Sequence, residues 1–350
     1  MSTLDLRLAD PGLPPRTPPA GDGLPVAARP ADEGAGPAPS ALWARGIRKS
    51  FGSAERPTHA LTGIDIDVGR GEIVGVLGPN GAGKTTLVSI LEGILAPDAG
   101  QVRLLGAPLE DRQAYQRAKG QLGVSMQHSV LPATLTIAEL VSTVSRLYPN
   151  PRPAARLVDE LGLTDKRHTE IRHLSGGQQQ RVAVALALVG DPHLVFLDEP
   201  TSQLDPQARR AVWEIVLEQR RSRGAGVLLT THQMEEAERL CDRVLILDHG
   251  RVLDHGTPRE LVQRHCPQRR IVFATDAGLE LSQLAEGGVD QAPAAAGEVC
   301  VSWRPQDFDA ALARLMELHR TGRVPVRDLQ VSSQSLEDVF IQLTGRGIRT

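Results

Sequence analysis

The first residues that could do chemistry form a glycine-rich run that ends in a lysine and two threonines. The run reads Gly78, Pro79, Asn80, Gly81, Ala82, Gly83, Lys84, Thr85 and Thr86. It fits the phosphate-loop pattern, and it lies between a predicted buried strand at residues 72–77 and a predicted helix from 84 to about 95. Glycines in such a loop let backbone N–H groups surround phosphate oxygens, because no Cβ stands in the way.

This pattern assigns a role to each of the side chains that follow the loop. We predict that Lys84 reaches the β- and γ-phosphates of a nucleotide, aided by the positive end of the helix. The hydroxyl of Thr85 would bind Mg²⁺, and Thr86 would hold a further phosphate oxygen. The alternative is a glycine-rich turn that only caps a helix, and the strand before the loop argues against it.

Two carboxylates, Asp198 and Glu199, come directly after a predicted apolar strand at residues 194–197. A strand that is buried on both faces has no structural reason to end in two charges. We predict that Asp198 supports Mg²⁺ at the edge of the sheet and that Glu199 orients or deprotonates the attacking water. The alternative, a solvated pair at the start of a turn, is weakened by the phosphate loop in the same chain.

A second glycine-rich helix start follows Leu174, at Ser175, Gly176, Gly177 and Gln178. Ser175 as the N-cap and Gln178 three residues later are typical of a capping box. The glycines also leave N–H groups exposed at a helix N-terminus, which makes a second anion site in one chain. One ATP does not need both sites from one subunit. Two subunits arranged head to tail would use both, so we predict a homodimer.

The order of phosphate loop, Leu-Ser-Gly-Gly-Gln and Leu-Asp-Glu-Pro resembles that of the ATP-binding cassette (ABC) family over about residues 42–265. The resemblance implies an α/β fold with a P-loop NTPase core, in which a mostly parallel sheet has helices on both faces. It also implies an antiparallel β subdomain and a helical insert at about residues 128–175. ATP and Mg²⁺ would be the cofactors, and ATP hydrolysis the reaction, in a nucleotide-binding domain at residues 41–265.

Four further site residues follow from the resemblance alone. Phe51 matches the aromatic residue that stacks on adenine, although it could also be a core residue at a strand edge. Gln127 matches the glutamine that contacts Mg²⁺ and senses the membrane partner. Asp205 resembles a residue of the loop that crosses the dimer interface, and His232 the catalytic histidine that contacts the γ-phosphate. Gln203 departs from the family, which usually has glycine there, and would cost about 1 kcal/mol or more at a positive φ.

The two ends of the chain lie outside this resemblance. Residues 1–40 are rich in Pro, Ala and Gly and show no period, so we predict a disordered lead-in. Residues 266–350 are predicted to form a small α+β accessory domain, or a tail that packs on the main one. Its predicted elements are strands at 270–274, 299–303 and 329–331, helices at 308–318 and 336–343, and a loop at 285–297. The segment at 335–345 is similar to the end of bacterial drug- and antibiotic-export ATPase subunits.

Composition excludes some partners. The formal net charge is −3, which gives no global attraction to nucleic acid or acidic lipid. The most apolar segment, residues 182–190, is far shorter than the ~20 residues that a membrane-spanning helix takes. The three cysteines fit no metal site, and we expect reduced thiols. If the protein acts at a membrane, another chain must supply the span. The family resemblance implies that this partner is a separate transmembrane permease, and that the chain lies on the cytoplasmic face of the plasma membrane.

Two other functions are alternatives to an exporter ATPase that works by ATP-dependent dimer closure. A soluble cassette ATPase acting on DNA or ribosomes usually carries two cassettes or a long coiled-coil insert. This chain has one Leu-Ser-Gly-Gly-Gln segment and no sustained heptads. A non-catalytic regulator would not need Asp198, Glu199 and His232, all of which are present.

Overall fold

The computed structural model describes residues 40–53, 56–125, 131–202, 204–266, 269–276, 288–293, 298–332 and 334–345. Within these residues the chain alternates between strands and helices and forms three β-sheets. No helix in the described ranges is both long enough and apolar enough to cross a membrane.

The strands, in chain order, are β1 (Ser40–Phe51), β2 (Thr58–Gly69), β3 (Ile73–Leu77), β4 (Ala99–Leu104), β5 (Ala107–Pro108), β6 (Leu122–Ser125), β7 (Leu194–Asp198), β8 (Gly226–Thr231), β9 (Arg243–Asp248), β10 (Arg251–Gly256), β11 (Arg270–Asp276), β12 (Gly288–Pro293), β13 (Glu298–Arg304) and β14 (Arg327–Ser332). The helices are α1 (Lys84–Leu91), α2 (Arg112–Lys119), α3 (Ile137–Ser145), α4 (Ala154–Glu160), α5 (Gly176–Leu188), α6 (Pro206–Arg223), α7 (Met234–Leu240), α8 (Pro258–His265), α9 (Phe308–Arg320) and α10 (Leu336–Thr344).

The central sheet has the strand order β10-β9-β3-β8-β7-β6, and only the β9–β10 pair is antiparallel. Strands β3, β7 and β8 are buried along their whole length, which explains their continuous apolar runs. Alternate residues enter different cores: Val195 and Leu197 join one hydrophobic cluster, whereas Leu194 and Phe196 join another. The predicted mostly parallel α/β core is confirmed.

A second sheet, β2-β1-β4-β5, is antiparallel throughout and packs against the α1 side of the central sheet. This sheet is the antiparallel subdomain that the family resemblance implied. On the other side, α3 and α4 lie between β6 and α5 in the chain, where a helical insert was predicted. Pro149 and Pro151 lie in the segment that separates these two helices.

The third sheet, β12-β13-β11-β14, is also antiparallel, and α9 packs on it around Phe273, Trp303 and Leu315. The prediction of a loop over 285–297 is wrong in part, because β12 lies there and pairs with β13 from Gly288–Arg304 to Pro293–Val299. An edge strand needs backbone pairing on one side only, so a stretch that has one β-branched residue, Val289, and ends in proline can still form one.

The last helix, α10, belongs to a different core from the sheet that precedes it. Leu336, Val339 and Phe340 join the same hydrophobic cluster as Ala237 and Leu240 of α7. The sequence predicted this helix correctly and left open whether it completes a small α+β unit or packs on the larger one. Its apolar face is buried against α7 and α8 of the larger unit.

Helix α1 also differs from its prediction, since it ends at Leu91 and not near Leu95. Gly93 turns the chain with a φ of +76°, and a Cβ there would lie 2.8 Å from the hydroxyl of Tyr115. The close approach of α2 therefore sets the end of the helix, and a local helical pattern does not contain that information.

Candidate functional site

The loop at residues 78–83 joins β3 to α1, and its glycines are required by their neighbours. A Cβ on Gly78 would lie 2.4 Å from the carbonyl oxygen of Leu247, and one on Gly83 would lie 2.7 Å from that of Ala60. Gly81 and Gly83 also have positive φ angles, of +81° and +105°. A larger residue would clash or be strained at these positions, so the curled backbone that a phosphate needs depends on glycine.

The buried side chain of Lys84 folds back onto this loop and binds its carbonyl oxygens. Its Nζ donates to the carbonyl oxygens of Gly78, at 2.8 Å, and Pro79, at 3.1 Å. Burial lowers the pKa of Lys84, and the nearby charges of Glu199 and Asp198 oppose that shift. The ammonium group is therefore held at the loop, close to the two carboxylates that the sequence assigned to hydrolysis.

Asp198, the last residue of β7, is buried and accepts a short hydrogen bond from the hydroxyl of Thr230 on the neighbouring strand β8. Thr85, whose hydroxyl was predicted to bind Mg²⁺, is exposed, and Thr86 is half-buried. Both threonines open α1, directly after Lys84. The structure therefore places Asp198 and Thr85 where β7 ends and α1 begins.

Glu199 has an unusual backbone, which the surrounding chain holds in place. Its φ is +48°, a left-handed conformation that costs a residue with a side chain about 1–2 kcal/mol. Its N–H donates to both the carbonyl and the hydroxyl oxygen of Thr230, each at 3.1 Å. Its carbonyl oxygen accepts from Ser202 Oγ at 3.0 Å and from Gln180 Nε2 at 3.4 Å. These contacts determine where the carboxylate points.

The Glu199 carboxylate meets His232 at the edge of the central sheet. Glu199 Oε1 lies 3.2 Å from His232 Nδ1. This hydrogen bond raises the pKa of His232, whereas burial and the charge of Lys84 lower it. The structure thus brings together the three residues of the predicted catalytic set, from three separate segments of the chain.

The second glycine-rich helix start has the predicted capping box. Ser175 Oγ accepts from the N–H of Gln178 at 3.3 Å, and Gln178 Oε1 accepts from the N–H of Ser175 at 3.0 Å. Ser175 and Gly176 are exposed, and Gly177 is half-buried. Among the described residues, no hydrogen bond or ion pair joins residues 175–178 to the phosphate loop.

The remaining predicted residues have varied positions. Phe51 ends β1 with 46% of its surface exposed, which rules out a core role, and its ring centroid lies 5.8 Å from Lys49 Nζ.

Asp205 caps α6 by accepting from the N–H of Gln207, at 3.0 Å, and of Ala208. The bond from Ala208 is the main cause of a lowered pKa at Asp205. Gln127 and Gln203 lie outside the described residues.

Sequence reasoning missed the residues that hold the catalytic side chains. Gln180 and Glu236 lie outside every predicted motif, and Thr230 belongs to the Thr-Thr-His segment without a predicted role of its own. Each of them nevertheless contacts a segment that carries Glu199 or His232. Thr230 has a local signal, since it is a polar residue near the end of the buried strand β8, whereas Glu236 lies in a mostly polar helix and has none. A buried polar residue is usually hydrogen-bonded, but its partner cannot be read from nearby sequence.

Across the residues that the structure describes, no group of three or more His, Cys, Asp and Glu side chains is arranged to hold a metal ion. A Mg²⁺ ion does not need such a group, because it commonly binds one or two carboxylates together with substrate phosphates and water. The carboxylate of Asp198 and the hydroxyl of Thr85 are the hard oxygen donors that it prefers. The donor set therefore fits a nucleotide-bound Mg²⁺.

Comparison with known proteins agrees with this geometry. The family model described as ABC transporter matches residues 61–202. The chain is 37% identical over 308 residues to the Nod factor export ATP-binding protein I of Rhizobium sp. (strain N33), covering 86% of this chain and 96% of that protein. It is 36% identical over 316 residues to the protein of the same name from Ralstonia nicotianae, covering 88% and 95%. The chain therefore belongs to the ATP-binding proteins of the ABC transporter family.

Solved structures support the same fold. An ATP-binding subunit of an ABC transporter matches with a TM-score of 0.56 and 31% identity, over 64% of this chain and 92% of that one. A dimeric ATP-binding cassette in a post-hydrolysis state, bound to ADP and Pi, matches with a TM-score of 0.57 and 24% identity, over 62% and 98%. The chain is thus an ABC ATPase subunit of a transporter.

Proposed function

We propose that this chain hydrolyses ATP to drive export through a separate transmembrane permease, and that two copies work together as a closing dimer. The observation that carries the proposal is the meeting of Lys84, Glu199 and His232 at one edge of the central sheet, with Glu199 Oε1 3.2 Å from His232 Nδ1. These are a cation for the phosphates, a carboxylate for water and a histidine for the γ-phosphate, which together suit phosphoryl transfer to water.

Each residue then has one task in hydrolysis. Lys84 moves from the carbonyl oxygens of its own loop to the β- and γ-phosphates of ATP, and the loop N–H groups surround the phosphate oxygens. Glu199 orients the attacking water and accepts its proton, while His232 contacts the γ-phosphate.

Asp198 and Thr85 would hold Mg²⁺, together with Gln127. When it is bound, the ion neutralises charge on the phosphate oxygens. Phe51, which is exposed at the end of β1, would stack on the adenine.

Two copies would complete each other's sites. The helix start at residues 175–178 is exposed at Ser175 and Gly176, and its N–H groups would bind the γ-phosphate of an ATP held by a second copy. Asp205, at the start of α6, would lie at the same interface. Bound ATP would favour the closed dimer because only that state pairs all of its charges, and hydrolysis would reopen it. One structural relative is itself a dimer with ADP and Pi bound.

The direction of transport rests on the relatives and on the end of the chain. Two of the relatives named above are export ATP-binding proteins, and they match over almost their whole length. The segment at residues 335–345 resembles the end of drug- and antibiotic-export subunits. Residues 41–265 would be the nucleotide-binding domain, 266–350 an accessory domain and 1–40 a lead-in. The chain would lie on the cytoplasmic face of the membrane.

The test is to tag the chain, extract it gently from native membranes and identify the proteins that travel with it. We expect a membrane protein with several spanning helices in the purified complex, and ATPase activity that changes when this protein is present. Recovery of ribosomes or DNA without such a protein would overturn the transporter proposal and favour a soluble cassette ATPase.

A further inference from the structure

A buried carboxylate joins the two segments that carry the catalytic residues. Glu236 lies in the first turns of α7, four residues after His232, and only 1% of its surface is exposed. Its Oε1 accepts a hydrogen bond from Thr201 Oγ1 at 2.8 Å, and Thr201 lies two residues after Glu199. One oxygen atom therefore connects the chain that follows Glu199 to the chain that follows His232.

The same oxygen also reaches α6. Trp213 Nε1 donates to Glu236 Oε1 at 3.0 Å, and both side chains are buried. Helix α6 follows its N-cap Asp205, so Glu236 also joins this helix to the segments that carry Glu199 and His232. A buried acceptor with two buried donors is expensive to disturb, because removal leaves the hydroxyl and the indole N–H without a partner.

The other face of α7 supports the C-terminal helix. The N–H of Leu336, the first residue of α10, donates to Glu238 Oε1 at 2.7 Å. Leu336 and Phe340 are buried in the same cluster as Ala237 and Leu240 of α7. Helix α7 is therefore packed between the catalytic loops on one side and the last helix of the chain on the other.

We propose that Glu236 is a positioning residue that sets the spacing between Glu199 and His232, and that α10 supports the same spacing through Glu238. The inference rests on the proposed roles of Glu199 and His232 in ATP hydrolysis. A shift of about 1 Å in a catalytic group can reduce a rate by about a hundredfold, so a single internal tie of this kind has a large effect on turnover. Loss of the Glu236 contacts would leave the phosphate loop, and hence ATP binding, unchanged.

The first test compares Glu236→Ala with Glu236→Gln in the full chain. Glu236→Ala removes the shared acceptor, and we expect kcat for ATP hydrolysis to fall at least about tenfold while KM for ATP changes less than about threefold. Glu236→Gln keeps an acceptor oxygen at the same place, and its kcat should stay within about threefold of the unmodified chain. A kcat in Glu236→Ala equal to that of the unmodified chain would overturn the proposal.

A general loss of structure is separated from positioning by two further measurements. Thermal unfolding identifies a temperature at which every variant is folded, and the kinetics are measured there. Thr201→Val removes the donor that follows Glu199, and combined with Glu236→Ala it should add little to the loss of kcat, because both changes break one tie. If KM and kcat worsened together, or the two losses multiplied, Glu236 would be a structural residue only.

The proposed role of α10 is tested by one variant, Glu238→Ala, and one matched control, Gln342→Ala. Glu238→Ala removes the acceptor for Leu336, and we expect kcat to fall about two- to fivefold with KM unchanged. Gln342 lies on α10 and contacts Cys266 Sγ at 3.1 Å, away from α7. Gln342→Ala removes this contact and should leave kcat unchanged. Equal kcat in both variants would overturn the role of α10. An unmodified chain that hydrolyses no ATP, alone or with its permease, would instead overturn the proposed function.

Discussion

The two glycine-rich helix starts of this chain, at residues 78–85 and 175–178, differ in how much of each site a single copy supplies. At the first start, Lys84 is buried, bonded to the loop carbonyls and close to two carboxylates. At the second, Ser175 and Gly176 are exposed, and the capping box accepts from the N–H groups of Ser175 and Gln178. The comparison shows that the same local motif can be surrounded by charged side chains or left exposed, and this difference is why we propose that a second copy completes the second site.

The largest effect should come from removing the water-orienting carboxylate of the first site. Glu199→Gln keeps the size of the side chain but removes its basicity, so we expect kcat to fall by about 100- to 1000-fold. ATP binding should persist, and ATP should trap a dimer that gel filtration resolves from the monomer. An unchanged hydrolysis rate would remove Glu199 from its proposed role.

Lys84→Ala tests whether the first site works in a single copy. The change leaves the carbonyl oxygens of Gly78 and Pro79 without their ammonium partner and takes away the cation for the phosphates. We expect ATP affinity to drop about 10- to 100-fold. Titration with a fluorescent ATP analogue, at protein concentrations where the chain is monomeric, measures the loss. If the loss appeared only in dimers, the first site would not be complete in one copy.

Ser175→Ala tests whether the second site needs another copy, and the chain has a matched control. Thr136 and Glu139 form the same capping box at the start of α3. Each alanine change should lower the free energy of unfolding by about 1 kcal/mol. We expect only Ser175→Ala to reduce ATPase activity, by about fivefold, and to weaken the ATP-trapped dimer in the Glu199→Gln background. Similar activity losses in Ser175→Ala and Thr136→Ala would mean that stability alone is responsible.

The smallest expected effect is a change in the pKa of His232, and it concerns the first site alone. The Glu199 carboxylate raises the pKa of His232 above its ordinary value of 6.5 in the folded chain. A raised pKa means that this contact stabilises the fold fully below pH 6.5, and that the stabilisation is lost as the pH rises through the folded pKa. NMR titration should therefore give a lower pKa for His232 in Glu199→Gln, and Ser175→Ala should leave it unchanged. Equal values in all three proteins would contradict the contact.

Local sequence predicted the parts of the molecule that depend on neighbouring residues. Strands β3 and β7, the phosphate loop and the Ser175 capping box all appear where their patterns lie. The parts that it missed depend on residues far away in the chain. Glu236 contacts Thr201 across 35 positions, and α10 packs on a helix about 100 residues earlier. Such pairings arise only when the sheet assembles, so no local period contains them.

The left-handed backbone at Glu199 has a consequence for engineering this protein. Glycine and asparagine adopt a φ of +48° more readily than glutamate does, so selection for folding stability alone would favour them at residue 199. Selection for ATP turnover would favour glutamate. A thermostabilisation campaign that scores only melting temperature should therefore enrich inactive variants at this position, whereas one that also scores turnover should leave it unchanged.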